Sequence, residues 1–285
     1  MSAALECLSS HRCFGGTQSY YRHQSERCAG PMHFSIFLPP QAQQEPRPVL
    51  YCLAGLTCTH ETFPIKAGAQ RLAAELGLVL VSPDTSPRDT GFEGATGDWE
   101  FGEGAGFYVD ASTDPWRSRF QMASYVVDEL PALLQQVFPI DDQRSGLLGH
   151  SMGGHGALTL ALRHPQRYRS LSALAPICAP IEVPWGQKAL PRYLGEDPVA
   201  WRQADACALL ADGHRFNGTI RVDQGLSDSF LASQLQPERL EAACAAAGQA
   251  LDLHRHEGYD HGYYFIASVI DAQLRHHAAV LLDDA

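Results

Sequence analysis

Short apolar runs alternate along the chain with longer segments in which apolar residues recur at helical spacing. Residues 49–53 are almost wholly apolar, which is typical of a strand buried on both faces of a sheet. Apolar residues at 65, 69, 72, 73 and 76 predict one amphipathic helix over 65–76. Further predicted strands cover 33–38, 78–81, 145–148, 170–174, 219–222 and 251–256, and further predicted helices cover 125–138, 154–162, 237–247 and 263–282.

This alternation of strands and helices predicts an α/β fold with a mainly parallel central sheet and helices on both faces. One domain over residues 1–285 is expected, because α/β folds often reach this length as a single unit. Within it, residues 185–213 have a mostly helical pattern and form a predicted excursion near the functional site. Residues 88–110, rich in glycine, acidic and aromatic side chains, predict a long irregular loop over one end of the sheet.

Composition narrows the classes of function. Hydrophobic residues make up 45% and charged residues 19% of the chain, which suits a globular protein with a large core. The net charge of −11 argues against nucleic acid and anionic membrane surfaces as partners. No apolar stretch approaches the ~20 residues that a membrane span requires.

The cysteine pattern predicts free thiols and no metal site. The chain has eight cysteines but no C-x-x-C pair and no Cys/His set at zinc spacing. The first sixteen residues lack the basic region and apolar run of a secretory signal. We therefore expect a cytoplasmic protein that needs no metal or other cofactor.

The sequence Gly-His-Ser-Met-Gly at 149–153 has the form G-x-S-x-G and lies between a predicted strand and a predicted helix. This context is typical of a nucleophile elbow. Glycines on both sides allow the backbone to turn sharply, and the helix N-terminus favours developing negative charge. Ser151 is therefore the candidate nucleophile, and the alternative is a glycine-rich helix start packed closely on the sheet.

A serine nucleophile needs a base, and the base needs a third group that orients it. In α/β-hydrolases the acid and then the histidine follow the serine, each on a loop after a strand. His261 lies in a glycine-bounded loop between the last predicted strand and the last predicted helix, which favours it as the base. Position along the chain leaves three candidates for the acid: Asp228, Asp223 and Asp260.

Other histidines lie close to these elements and receive different predictions. His150 adjoins the nucleophile and is expected to point away from its hydroxyl. His254 and His256 alternate along a strand, which favours an exposed strand face over a metal pair. His276 and His277 lie late in a helix, where a positive charge suits the helix dipole.

Acyl transfer also needs hydrogen-bond donors for the oxyanion. Met152, directly after the serine, offers one backbone N–H. We expect the second from Leu56, in the loop after the strand 49–53, where Gly55 lets the backbone approach the substrate. Cys58 lies two residues further on. Its nearness motivates the hypothesis of a regulatory thiol, and a small buried hydrophobic residue is the alternative.

Longer motifs give the chain a resemblance that covers nearly its whole length, from about residue 28 to the C-terminus. They are LTCT (56–59), SPDTSPR (82–88), GAGFYVDA (104–111), GHSMGGHG (149–156), APIC (175–178), PWG (184–186), DQG (223–225), DSFL (228–231) and EGYDH (257–261). Together they make the chain resemble the S-formylglutathione hydrolase, or esterase D, family.

The resemblance implies one α/β-hydrolase domain with Ser151, Asp228 and His261 as the catalytic triad. It also implies oxyanion donors at Leu56 and Met152 and no metal. The implied reaction is hydrolysis of S-formylglutathione to glutathione and formate through a formyl-serine intermediate, a step of formaldehyde detoxification. A homodimer is usual for this family.

Because a glutathione thioester is anionic and the protein is acidic, we expect local positive charge beside the site. Lys66, Lys188 and Arg192 are the candidates, with Trp185 from the helical excursion, and ordinary surface positions are the alternative. Two other functions compete. One is a general carboxylesterase or acyltransferase on small acyl esters, and the other is a non-catalytic binding protein of the same fold.

Overall fold

A nine-stranded sheet runs through the computed structural model, which describes residues 5–283. Residues 1–4 and 284–285, which the predicted domain includes, lie outside the described residues. The strands are β1 (Glu6–Cys13), β2 (Gly16–Ser25), β3 (Gly30–Leu38), β4 (Arg47–Leu53), β5 (Val79–Pro83), β6 (Ile140–His150), β7 (Ser170–Leu174), β8 (Ile220–Gly225) and β9 (Leu251–His256).

The strand order is β1-β2-β3-β5-β4-β6-β7-β8-β9. From β5 to β9 the neighbouring strands are parallel, whereas β1, β2 and β3 pair antiparallel and β3 joins β5 antiparallel. The prediction of a mainly parallel sheet is confirmed. Because the carboxyl ends of parallel strands share one edge, the loops after β4, β6, β8 and β9 meet there.

Helices flank this sheet, and residues 88–110 have the predicted irregular backbone. The helices within residues 5–283 are α1 (Thr62–Lys66), α2 (Gln70–Leu76), α3 (Met122–Ser124), α4 (Leu130–Val137), α5 (Met152–Arg163), α6 (Pro184–Leu194), α7 (Pro198–Arg202), α8 (Ala206–Ala211), α9 (Pro237–Ala247) and α10 (Tyr263–Leu281). None of these helices combines the length and apolar character needed to cross a bilayer.

The single helix predicted for 65–76 is wrong, because the segment forms two helices. Gly68 lies between α1 and α2 with φ +71°, a left-handed conformation that interrupts a right-handed helix. The apolar spacing continues across the break, so periodicity alone did not reveal it.

The helix predicted for 125–138 is continuous but irregular. It passes from α3 through a π-helical turn at Tyr125–Glu129 into α4. Pro131 lacks an N–H and cannot bond to the carbonyl of Val127. The Arg167 Nε instead lies 3.4 Å from that carbonyl oxygen. The missing hydrogen bond at Pro131 therefore coincides with a widened turn just before it.

The N-terminal hairpin of β1 and β2 was missed by the sequence analysis. Cys13 pairs with Gly16 across a two-residue turn, and both turn residues, Phe14 and Gly15, have positive φ, as primed hairpin turns require. Strand β1 is an edge strand and is mostly exposed. It therefore lacks the apolar pattern by which buried strands are found.

His277 contradicts the prediction of a positive charge late in α10. The residue is fully buried, and its two ring nitrogens lie 2.7 Å from the hydroxyls of Ser170 and Ser172 on β7. Burial lowers the pKa of His277 far below its usual value. Its neighbour His276 contacts the Leu171 carbonyl, and burial lowers the pKa of His276 as well. Packing of α10 against the sheet therefore outweighs the helix dipole.

Candidate active site

Ser151 is the single residue between β6 and α5. Its backbone has φ 58° and ψ −119°, a strained conformation for a residue with a Cβ and the one expected at a nucleophile elbow. A Cβ on Gly149 would overlap the backbone of Gly153, and a Cβ on Gly153 would overlap the carbonyl of Leu53. Both motif glycines are therefore required by close backbone packing.

His261 and Asp228 form a direct side-chain contact at the carboxyl edge of the sheet. The His261 Nδ1 lies 2.5 Å from the Asp228 Oδ2. The Asp228 side chain is fully buried, and its Oδ1 accepts a hydrogen bond from the Phe230 N–H at 2.8 Å. This arrangement holds the carboxylate rigidly and leaves the Nε2 of His261 as the nitrogen that can serve a nucleophile.

The two other candidate acids have different partners. Asp223 is buried within β8, where its oxygens contact Arg221, the His256 Nε2 at 2.7 Å and the Gln273 amide. Asp260 accepts a hydrogen bond from the backbone N–H of Gly262. Of the three carboxylates, the structure brings Asp228 to His261. It also shows that His256 is bound to a buried carboxylate rather than lying on a free strand face.

Ser151 and His261 line one cavity of about 120 Å³. Most of its wall is apolar or aromatic. The lining residues are Gly55, Leu56, Thr57, Cys58, Trp99, His150, Ser151, Trp185, Phe230 and His261. A serine and a histidine therefore line the same small, mostly apolar cavity.

The loop after β4 is anchored through its backbone carbonyls. The Cys58 carbonyl accepts hydrogen bonds from the Arg88 Nη2 and the Thr85 Oγ1, both at 2.7 Å, and the Ala54 carbonyl accepts one from the Tyr108 hydroxyl at 2.9 Å. The sequence analysis did not predict that these three side chains anchor the loop. The signal was present, because all three lie in the motifs at 82–88 and 104–111.

Two backbone donors at the site, the N–H groups of Leu56 and Met152, make no hydrogen bond to another backbone group within residues 5–283. Thr57, next to Leu56, adopts φ +67° and donates its own N–H to the Gly104 carbonyl at 2.9 Å. The loop is therefore held while the Leu56 donor stays free, as an oxyanion site requires.

Comparison with known proteins identifies the family. The Esterase family model matches residues 25–276. The S-formylglutathione hydrolase of Mus musculus is 48% identical over 279 residues, which are 98% of this chain and 99% of the mouse protein. The enzyme of the same name from Rattus norvegicus is 48% identical over 97% of this chain and 99% of its own length. The chain belongs to the S-formylglutathione hydrolase family.

The fold agrees with that membership. The solved structure of an S-formylglutathione hydrolase from Agrobacterium tumefaciens is similar with a TM-score of 0.95 and 47% identity, covering 97% of this chain and 99% of that one. The predicted α/β-hydrolase fold is thus confirmed, and the protein is a hydrolase.

Three cationic residues were predicted to bind substrate in this hydrolase, and each already has a partner. The Lys188 Nζ lies 2.7 Å from both Asp98 and Glu100, and these hydrogen bonds raise the pKa of Lys188. The Arg192 guanidinium lies 3.6 Å from the ring centre of Phe101. Lys66 lies over the Tyr263 ring at 5.7 Å. None of the three is among the residues that line the hydrolase's cavity.

Trp185, the fourth predicted substrate-binding residue, lines the cavity. Its Nε1–H donates to Glu100 at 2.9 Å and its backbone N–H donates to Gln234 at 3.0 Å, so the indole is fixed. Trp99 stacks edge-on against it and is 51% exposed. The mouth of the hydrolase's cavity therefore has one anchored indole and one largely exposed indole.

Cys58 lies in the cavity wall of the hydrolase and is half-buried. Burial raises the pKa of its thiol. The residue is therefore mostly a neutral thiol at pH 7. Its regulatory role stays a prediction.

His150 makes a contact in this hydrolase that the sequence analysis missed. Its Nε2 lies 3.1 Å from the backbone carbonyl oxygen of His261, and the two imidazole rings are 4.7 Å apart. The residue beside the nucleophile therefore touches the candidate base.

Proposed function

We propose that this enzyme hydrolyses S-formylglutathione to glutathione and formate with Ser151 as nucleophile, His261 as general base and Asp228 as the orienting acid. The observation that carries the proposal is the 2.5 Å contact between His261 and Asp228 beside a cavity that Ser151 also lines. The near full-length similarity to S-formylglutathione hydrolases supports the choice of substrate.

The acylation step follows from this geometry. The Ser151 Oγ attacks the thioester carbonyl while the His261 Nε2 takes its proton, and the imidazolium that forms is stabilised by Asp228. The oxyanion accepts hydrogen bonds from the N–H groups of Leu56 and Met152. When the intermediate collapses, the C–S bond breaks and His261 protonates the glutathione thiolate.

Deacylation repeats the same proton transfers with water. His261 removes a proton from water, the hydroxide adds to the formyl-serine, and Ser151 leaves with the proton that His261 returns. Formate is the product. A chamber of about 120 Å³ with an aromatic wall favours a small acyl group, although one methylene changes discrimination by only about 1–3 kcal/mol.

For the glutathione part, we propose that Trp185 contacts the thioester and that Lys188, Arg192 and Lys66 attract its carboxylates at the rim. Lys188 and Arg192 lie close to Asp98, so binding would exchange one carboxylate partner for another. The test is Lys188→Ala, which should raise KM for S-formylglutathione and leave KM for an aryl ester unchanged. Arg22→Ala, which removes a cation from an exposed ion pair in the N-terminal hairpin, is the matched control.

We also propose that the enzyme works in the cytoplasm in formaldehyde detoxification, as a homodimer that does not bind nucleic acid. Its eight unpaired cysteines suit a reducing compartment, and its net charge of −11 opposes binding to polyanions. Light scattering would give the mass in solution, and a value equal to one chain would contradict the dimer.

The deciding experiment compares kcat/KM for formyl, acetyl and lactoyl glutathione with that for a simple aryl ester. We expect the highest value for the formyl thioester. Ser151→Ala should lose turnover by a factor on the order of 10⁶ and should no longer react with a fluorophosphonate probe. A higher value for aryl esters would favour a general carboxylesterase, and lack of labelling in the folded wild type would favour a binding protein.

A further inference from the structure

His150 is a buried histidine next to the nucleophile that the reaction just described does not use. It is 6% exposed, and its Nε2 lies 3.1 Å from the His261 carbonyl oxygen. A carbonyl oxygen only accepts hydrogen bonds. The Nε2 of His150 must therefore carry a hydrogen and donate it, which leaves the Nδ1 as a bare acceptor.

That Nδ1 has no hydrogen-bond partner in the part of the chain that the structure describes. It faces the backbone of Gly55, where an added Cβ would lie 3.4 Å away. A buried acceptor without a donor destabilises the fold. Folding alone would therefore favour an apolar ring at position 150, and retention of a histidine needs another reason.

The contact with His261 supplies that reason. The ring centroids lie 4.7 Å apart with an interplanar angle of 42°, and the Tyr263 ring also packs edge-on against His150 at 5.6 Å. Burial, together with the neighbouring His261, holds the pKa of His150 far below its usual value. His150 therefore stays neutral and adds no second positive charge when His261 takes a proton.

The loop that carries His261 has few other restraints at this residue. Between β9 and α10, the Tyr259 carbonyl accepts a hydrogen bond from the Ser227 N–H at 2.9 Å, and Asp260 caps Gly262. The His261 carbonyl has no second donor within residues 5–283. The next carbonyl, that of Gly262, accepts the N–H groups of Phe265 and Ile266 at the start of α10. The His261 carbonyl itself is therefore held by His150.

We propose that His150 is a positioning residue, whose Nε2–H holds the backbone of His261 so that the imidazole stays between Asp228 and Ser151. The proposal rests on the proposed function, because it concerns the same base. According to the proposal, the N–H donor of residue 150 affects the rate of the reaction, whereas its ring contributes only to packing.

The test separates donor from ring. His150→Phe keeps an aromatic ring and removes both nitrogens. His150→Gln removes the ring and places an amide N–H close to the position of the lost Nε2–H. We expect kcat to fall at least tenfold in His150→Phe with KM nearly unchanged. The melting temperature should change little, because the variant loses the unpaired Nδ1 and the donor to the His261 carbonyl together. His150→Gln should recover most of kcat despite lower stability.

A second measurement follows the base itself. The hydrogen between the His261 Nδ1 and Asp228 should give a far-downfield proton resonance in the wild type and in His150→Gln, and the resonance should broaden or move in His150→Phe. A role in packing alone would leave it in place. If the Phe variant does not fold, His150→Asn, whose shorter amide does not reach the carbonyl, is compared with His150→Gln in the same way.

The proposal is overturned if folded His150→Phe keeps kcat within twofold of the wild type, or if His150→Gln is no more active than the variant without a donor. All variants are assayed on an aryl ester as well as on S-formylglutathione. Failure of the wild type on the thioester alone would refute the proposed substrate. The comparison at position 150 would still be made on the ester.

Discussion

Replacing Asp228 with asparagine tests the contact on which the proposed mechanism depends. The Phe230 N–H donates to the Asp228 Oδ1, so the carbonyl oxygen of the asparagine would stay at that donor. Its NH₂ group would then face the His261 Nδ1, where Oδ2 now lies at 2.5 Å. The imidazole would have to accept at Nδ1 and carry its hydrogen on Nε2, where it could no longer take the proton of Ser151.

The size of the expected loss in kcat follows from the negative charge that Asp228→Asn removes. Opposite unit charges at the observed separation attract by roughly 6–7 kcal/mol at an effective dielectric constant of about 20. Since 1.36 kcal/mol corresponds to a factor of ten in rate, the loss is at most about 10⁵-fold. The His261 side chain is partly exposed, which weakens the attraction. We therefore expect kcat to fall by about 10⁴, the size found for this substitution in a Ser–His–Asp triad.

The assay is steady-state hydrolysis of S-formylglutathione, with circular dichroism to establish folding. Asp223→Asn and Asp260→Asn are matched controls, because sequence position alone made both residues candidates for the acid. Each should keep kcat within a few-fold in the folded protein, and Asp223→Asn should lower stability because that carboxylate is buried among Arg221, His256 and Gln273. Retention of more than about 1% of kcat by Asp228→Asn would refute the reasoning, and an equal loss in Asp223→Asn would transfer the role to that residue.

Four further predictions follow. Burial lowers the pKa of His155 to about 4, against about 6.5 in the unfolded chain. The native state therefore binds fewer protons than the unfolded state. The free energy of unfolding should fall as the pH drops from about 6.5 towards 4, by up to ~1.4 kcal/mol per pH unit for this residue. Urea unfolding at pH 7, 6 and 5 should show the decline, and His155→Gln should reduce its slope. Arg88→Lys keeps the charge but not the forked donors that hold the Cys58 carbonyl, so kcat should fall about tenfold while the melting temperature changes little. An unchanged kcat would show that the guanidinium does not position the loop after β4 for catalysis. Because burial raises the pKa of Cys58, inactivation by iodoacetamide should be slow at pH 7 and accelerate with pH, and Cys58→Ser should resist it; equal inactivation of that variant would exclude this thiol. Gly153→Ala should destabilise the protein by roughly 1–3 kcal/mol through backbone overlap, measurable as a lower urea midpoint, and a midpoint equal to that of the wild type would contradict the close packing at the elbow.

Some features were settled by the sequence because they depend on neighbouring residues. The turn at Ser151 needs a strand, two glycines and a helix in succession, and all are adjacent in the chain. The buried strand β4 is indicated by the unbroken apolar run at 49–53, and α9 occupies the residues predicted for it. The order of strands and helices then implies a parallel sheet, since only that topology buries the apolar strands on both faces.

Other features were decided only by tertiary structure, because they depend on which distant groups come into contact. Three aspartates had comparable positions along the chain, and side-chain geometry at the sheet edge brings Asp228 to His261. Lys188 acquires its acidic partners from a loop about ninety residues earlier, and His277 becomes buried because α10 packs on β7. Periodicity and local motifs describe a residue's immediate neighbours, whereas burial and charge pairing depend on contacts between elements that are far apart in the sequence.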